Sequence, residues 1–291
     1  MTPAQIGDGP RVILCADDYG ISPAVSAGIA ELAAAGRLSA MSCMVTFGEW
    51  PDLAQRALAL RPQIAIGLHL NLTVGSPLGP LPHLAPTGQL PTAGGLIGAA
   101  ARGAIDASEI KAEVVRQLDA FSQAAGFLPD FLDGHQHVHA IAGVRKGVLS
   151  ALRNLPNGAG LLVRDPSDTL ARMTSRKMFL GKALTVSALA AGFAKAVRAA
   201  GMTVNEGFSG FSDFDPGSPY ARELEAAFTA CGPTHLAMCH PGHADAVLAG
   251  RDRVTERRQQ EWDGLLAAEG LEQRLWRPDR ARANIWETAD V

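Results

Sequence analysis

Four cysteines in 291 residues, Cys15, Cys43, Cys231 and Cys239, are too few and too widely separated for a disulfide framework or a zinc knuckle. Most lie inside apolar runs, so they are expected as reduced core thiols. Lysine and arginine form no run, and a net charge of −3 with a pI near 6.2 offers no surface for a polyanion. Nucleic acid is therefore not expected as a partner. Residues 179–201 come nearest to a membrane span, but Lys182, Lys195 and Arg198 interrupt them. Phe179, Ala183, Val186, Ala190, Phe193 and Val197 make one stripe at helical spacing, the pattern of a core-facing helix more than of a membrane-surface one. The opening MTPAQIGDGP has neither the basic start nor the apolar stretch of a secretory signal, which makes the cytoplasm the expected location.

What the chain has is apolar content, 47%, enough for a sizeable core. Short apolar runs at 11–16, 41–47, 64–70, 130–134, 160–164, 202–206 and 234–239 alternate with helical patterns at 22–36, 51–60, 107–125, 142–154, 170–200, 218–230 and 251–269. Repeated strand-helix units predict an α/β fold with a parallel sheet. Seven units predict one single-domain (β/α) barrel over 1–291, seven-stranded and incompletely closed. Residues 75–103, rich in Gly, Pro and Leu and without a period, are too long for an ordinary connection and read as a lid or substrate wall.

Ligand-type residues gather where the apolar runs end, the face on which such barrels carry active sites. Asp17 and Asp18 follow Val12-Ile13-Leu14-Cys15-Ala16; they could cap the next helix, or divide labour, one binding an ion and the other acting as base. In 64–71, alternation sets Ala65, Gly67, His69 and Asn71 on one face, where the small residues leave room beside His69. If 133–139 is extended, Asp133, His135, His137 and His139 share a face; one ion cannot take all four, so His137 and His139 would orient ligands or touch substrate. One Asp with two His leaves positions open, as a catalytic metal site requires.

His240, before Pro241-Gly242, stands where a general acid could protonate a leaving group, while its neighbour Cys239 points the other way and is a poor nucleophile candidate. Arg164 would either hold Asp17 ionised or pair at the surface with Asp165 or Asp168. Phe208, Phe211 and Phe214, spaced by three, suggest an apolar wall, with at least one of them in the core.

Taken in order, Ala16-Asp17-Asp18-Tyr19-Gly20, Gly67-Leu68-His69-Leu70, Asp133-Gly134-His135-Gln136-His137-Val138-His139 and Cys239-His240-Pro241-Gly242 resemble the YdjC-like carbohydrate deacetylases, and the 207–214 run resembles the hopanoid-associated HpnK branch. The resemblance implies a NodB-like barrel in which Asp18, His69 and His135 bind the metal, Asp17 is the base and His240 the acid. Donor chemistry favours Zn²⁺, with Mg²⁺, Mn²⁺ or Co²⁺ as alternatives. The branch implies an N-acetylglucosaminyl hopanoid as substrate, with peripheral contact at the inner membrane; soluble chito-oligosaccharides are the rival. A phosphoesterase is disfavoured by the scarcity of cations beside the motifs, and a non-catalytic sugar-binding barrel would need no base.

Overall fold

In strand β1 (Val12–Tyr19), side chains alternate between two apolar cores: Val12, Leu14 and Ala16 join the large core facing the helices, while Ile13 and Cys15 join a second one. That second core fills the inside of a curled sheet, where Ala40, Ala65, Phe131, Leu162, Leu236 and Met238 meet from other strands. The remaining strands of this computed structural model, which describes residues 2–155, 161–282 and 284–286, are β2 (Ala40–Cys43), β3 (Ala65–Leu70), β4 (Phe131–Gly134), β5 (Leu162–Val163), β6 (Phe208–Ser209) and β7 (His235–Cys239). All pair in parallel in the order β5-β4-β3-β2-β1-β7-β6. This is the expected α/β barrel with an incomplete wall.

The sixth strand forms later than the 202–206 run suggested. Thr203 makes one bridge to Leu162, and then the Asn205 side chain takes over the pairing: its Oδ1 accepts from the Asp165 N–H at 2.7 Å, and its amide donates to the Asp165 and Gly207 carbonyls. An amide side chain thus bridges the seam between β5 and β6. The expected fifth strand begins at residue 160, outside the described residues.

Helices cover the outside: α1 (Pro23–Ala34), α2 (Trp50–Leu60), α3 (Ala93–Ala101), α4 (Ala107–Ala125), α5 (Val144–Leu152), α6 (Leu170–Arg176), α7 (Leu180–Leu189), α8 (Phe193–Ala199), α9 (Tyr220–Ala227), α10 (Ala246–Ala249), α11 (Glu256–Ala267) and α12 (Leu271–Arg274). Their ends follow side-chain chemistry. Ser22 caps α1 by accepting the Val25 N–H ahead of Pro23, and Asp106 caps α4, which ends at Gly126 in the left-handed conformation.

Two expectations change here. The single helix expected over 170–200 is three, because Lys177 and Phe179 (φ +57° and +49°) and then Gly192 (φ +76°) break it. The stripe still turns Ala183, Ala190, Phe193 and Val197 inward, and no single helix among the described residues is long and apolar enough to cross a membrane.

Residues 75–103, expected to have no period, are partly helical and tied to the fold. They contain α3, and buried carboxylates of α4 stitch the preceding loop down: Glu113 accepts from the Leu78 N–H at 2.9 Å, and Glu109 from the N–H groups of His83 and Leu84. Gln117 exchanges two hydrogen bonds with the Asn71 backbone, and Leu81, Ala85 and Leu90 pack into a small core of their own.

Candidate active site

Two residues beyond each inward apolar side chain, the strands present a polar one at the carboxyl end of the barrel. Cys15 is followed by Asp17, Ala40 by Ser42, Phe131 by Asp133, Leu162 by Arg164 and Met238 by His240; β3 does the same with His69, two past Gly67. Gly67 does not leave the room expected beside His69, because a Cβ there would lie 2.4 Å from the Phe131 ring that fills the space.

Strict alternation would send Asp18 outward. A register shift between Ala16 and Tyr19 and a positive φ of 70° at Asp18 form a bulge that brings its carboxylate to the same centre as Asp17. Aspartate tolerates this backbone region better than most residues. Each acid then has its own partners, and neither caps α1.

Asp18 Oδ1 lies 3.2 Å from His69 Nε2 and 2.8 Å from His135 Nδ1, while Oδ2 accepts from Arg258 Nη2 at 2.7 Å. The three donors of Asp18, His69 and His135 all fall within 4.8 Å of one another and are buried. His69 is oriented from behind: its Nδ1 is 2.6 Å from Asp133 Oδ1, which also accepts from Ser42 Oγ. A proton on Nδ1 leaves Nε2 with its lone pair toward Asp18, the arrangement found where a carboxylate backs a metal-binding histidine. Burial disfavours a charged His69, yet the Asp133 and Asp17 charges and the bonds to Asp133 and Asp18 push its pKa up to about 10. Burial would also raise Asp18, but His135 and Arg258 hold its carboxyl well below the usual range. The centre therefore wants positive charge, and its O, N, N donor set fits a divalent ion.

Asp17 is buried against Arg164, which has no exposed surface. Arg164 Nη1 and Nη2 each donate to one Asp17 oxygen at 2.6 Å, and Nη2 also pairs with Asp133. Desolvation opposes ionisation of Asp17, and the Arg164 charge and hydrogen bonds outweigh it, so the carboxylate is held far down. Arg164 makes no surface pair with Asp165 or Asp168: Asp165 turns to Ser167, and Asp168 to Arg172 and Arg176. A second cluster, Cys15, Asp17 and Asp133, already has Arg164 as its cation. A third, His83, Asp106 and Glu109, opens to the surface at His83 and Asp106, and Glu109 is occupied by loop N–H groups.

His240 Nε2 stands 4.0 Å from Asp17 Oδ2, and its ring meets Phe214 edge-on at 5.1 Å. Burial lowers its pKa to about 4, so the ring is neutral near pH 7. Cys239 points away into the helix-facing core with its thiol 3.4 Å from the Cys15 carbonyl.

The other expected residues separate. Residues 135–140 form a tight turn, with Gln136 and His137 at φ 55° and 59°, so the histidines do not share a face. His137 packs against Phe208 and Phe211 at the rim. His139 is fully buried, with Nε2 2.7 Å from the Arg164 carbonyl and its ring on Phe193, so it supports the end of β5 at Arg164. Asn71 is buried too and spends its polar atoms on Thr46, Thr73 and Val74, organising its own loop. Phe208 belongs to the interior core, leaving Phe211 and Phe214 as the half-exposed members of the expected wall.

Ser42, Arg258 and Glu261 were not singled out from the sequence. Ser42 could have been found by the two-residue offset. Arg258 and Glu261 are buried on α11, inside a run of charged residues that looks solvated.

Residues 11–273 match the model of the YdjC-like protein family. A human carbohydrate deacetylase is 35% identical over 148 residues, 49% of this chain and 45% of that protein, and an Enterobacter chitooligosaccharide deacetylase is 33% identical over 133 residues, 46% and 52%. These alignments span about half the length of the curated relatives. A Klebsiella pneumoniae chitooligosaccharide deacetylase aligns over 239 residues, 82% of this chain and 84% of that one, at 26% identity. The crystal structure of an Enterococcus faecalis protein, described as a cellobiose-phosphate cleavage protein, superposes with a TM-score of 0.67 at 20% identity, over 92% of this chain and 94% of that one. That likeness concerns the fold.

Proposed function

The chain belongs to the YdjC-like protein family, and on that premise we propose that it hydrolyses the acetamide of an N-acetylated carbohydrate, releasing acetate and a free amino sugar. The observation that carries this is the convergence of Asp18, His69 and His135 beside an Asp17 held by Arg164. The three donors would hold the ion, Zn²⁺ before Mg²⁺, Mn²⁺ or Co²⁺. When bound, a divalent cation supplies Lewis acidity to the amide carbonyl and eases deprotonation of a water.

The chain's own groups move the proton. Asp17, kept ionised by Arg164, accepts it from the attacking water. With Asp17 Oδ2 and His240 Nε2 4.0 Å apart, the proton has a short way to the imidazole and on to the departing nitrogen. The water is thereby split between the two products, oxygen to the acetyl carbon and a proton to the amine.

Relatives named for chitooligosaccharides make a soluble chito-oligosaccharide the substrate class we favour. For the hopanoid alternative, Phe211 and Phe214 remain the half-exposed apolar residues, with Phe208 in the interior core. Acetate released by zinc-loaded protein from diacetylchitobiose, compared with an N-acetylglucosaminyl lipid, tests the choice: turnover of the lipid alone would reverse it. Asp17→Asn should abolish turnover while one zinc per chain remains bound; retained turnover removes Asp17 as base.

A further inference from the structure

Helix α11 reaches both halves of the site. Near its start, the Arg258 guanidinium donates to Asp18 Oδ2 at 2.7 Å and also pairs with Asp252, while the Arg258 carbonyl accepts the Gly242 N–H at 3.1 Å. One turn on, Glu261 Oε2 accepts the His240 N–H at 2.7 Å. The Cys239-His240-Pro241-Gly242 turn is therefore fastened at both ends to one helix, and that helix also grips the carboxylate at the metal centre. Both residues are 1% exposed.

Burying a carboxylate to satisfy one backbone N–H is expensive when an uncharged acceptor would serve. Glu261 has Arg257 and Arg258 for neighbours, and burial pushes its pKa up to about 7 in spite of them and of the His240 N–H. Among the described residues, Glu261 is the acceptor that holds the His240 N–H. Among the described residues the ring of His240 makes no hydrogen bond, since Nδ1 is buried without a partner and Nε2 is 4.0 Å from Asp17. The backbone and the edge of Phe214 position it.

We infer that Glu261 is a positioning residue for His240: its carboxylate, with the Arg258 carbonyl, fixes the turn that aims Nε2 between Asp17 and the leaving nitrogen. Glu261 touches neither substrate nor metal, so its loss acts through His240. Misplacing a proton donor by a fraction of an ångström slows the chemical step and leaves substrate affinity alone.

The proposal rests on the hydrolytic reading, and a double-mutant cycle with acetate release as readout separates the two. E261L should lower kcat about tenfold or more, with KM within twofold of native and zinc affinity unchanged. E261Q keeps an amide oxygen able to accept the His240 N–H and should recover most of that loss, which also controls for folding. In an H240A background, adding E261L should change kcat less than twofold. Equal losses in the native and H240A backgrounds, or an E261Q as slow as E261L, would overturn the assignment. A native protein that releases no acetate from any N-acetylated sugar refutes the reading instead.

Discussion

Replacing Arg164 with Met removes the guanidinium bonded to both Asp17 and Asp133, in a place with no exposed surface. Asp17 would lose both of its ionic hydrogen bonds, while Asp133 would keep His69 and Ser42. A solvent-exposed pair is worth about 0–1 kcal/mol, whereas breaking a buried one by removing a single partner costs about 3–5 kcal/mol. Full burial and the two bonds of 2.6 Å put Arg164 in the second class. Urea unfolding at pH 7 should therefore show R164M destabilised by about 3–5 kcal/mol at an unchanged m-value. The double variant R164M/D17N, with one stranded charge removed, should regain part of the loss.

The sign with pH follows from the lowered Asp17 pKa. A carboxyl depressed in the folded state contributes stability that is fully present above the unfolded value, about 3.9, and is lost as pH falls through the folded one. The gap between native and R164M should accordingly narrow on acidification, because Asp17, desolvated and without Arg164, takes up its proton first in the variant. A loss under 1 kcal/mol at pH 7, or a double variant no better than R164M, would refute the view that Arg164 is the required counter-charge.

Two further outcomes can be measured. Asp133→Asn weakens the acceptor behind His69 Nδ1 and removes a negative charge, both of which work against a cation, so zinc affinity by chelator competition should fall about 10–100-fold; an affinity within twofold of native contradicts it. His235 sits buried with Nδ1 accepting the Gly232 N–H and Nε2 donating to Ser209 Oγ, and burial together with nearby arginines lowers its pKa to about 3. Its neutral form is favoured in the fold, so its contribution is whole above about pH 6.5 and is lost at about 1.4 kcal/mol per pH unit below that. Urea titrations at pH 7.5, 6 and 5 should show native protein losing more stability than His235→Gln, and parallel losses would exclude the effect.

Much of the architecture could be read from residue order because strand and helix periods are local properties. The helix over 107–125 coincides with α4, since Asp106 and Gly126 mark both ends in the sequence itself. Strand ends also mark where Asp17, His69, Asp133, Arg164 and His240 lie. Positive backbone angles were not legible: the Asp18 bulge and the turn at Gln136 and His137 each redirect side chains that a regular strand would have placed elsewhere. Long-range charges were equally hidden, as Arg258 meets Asp18 across 240 residues. The 202–206 run misled because Asn205 finds better partners in its side chain than its backbone would find in a ladder.

The loop sewn to α4 by Glu109, Glu113 and Gln117 has a kinetic consequence. A segment already fastened by its own hydrogen bonds has little disorder left to surrender when something docks against it. A guest that meets this segment should then find its surface formed in advance, without a slow ordering step.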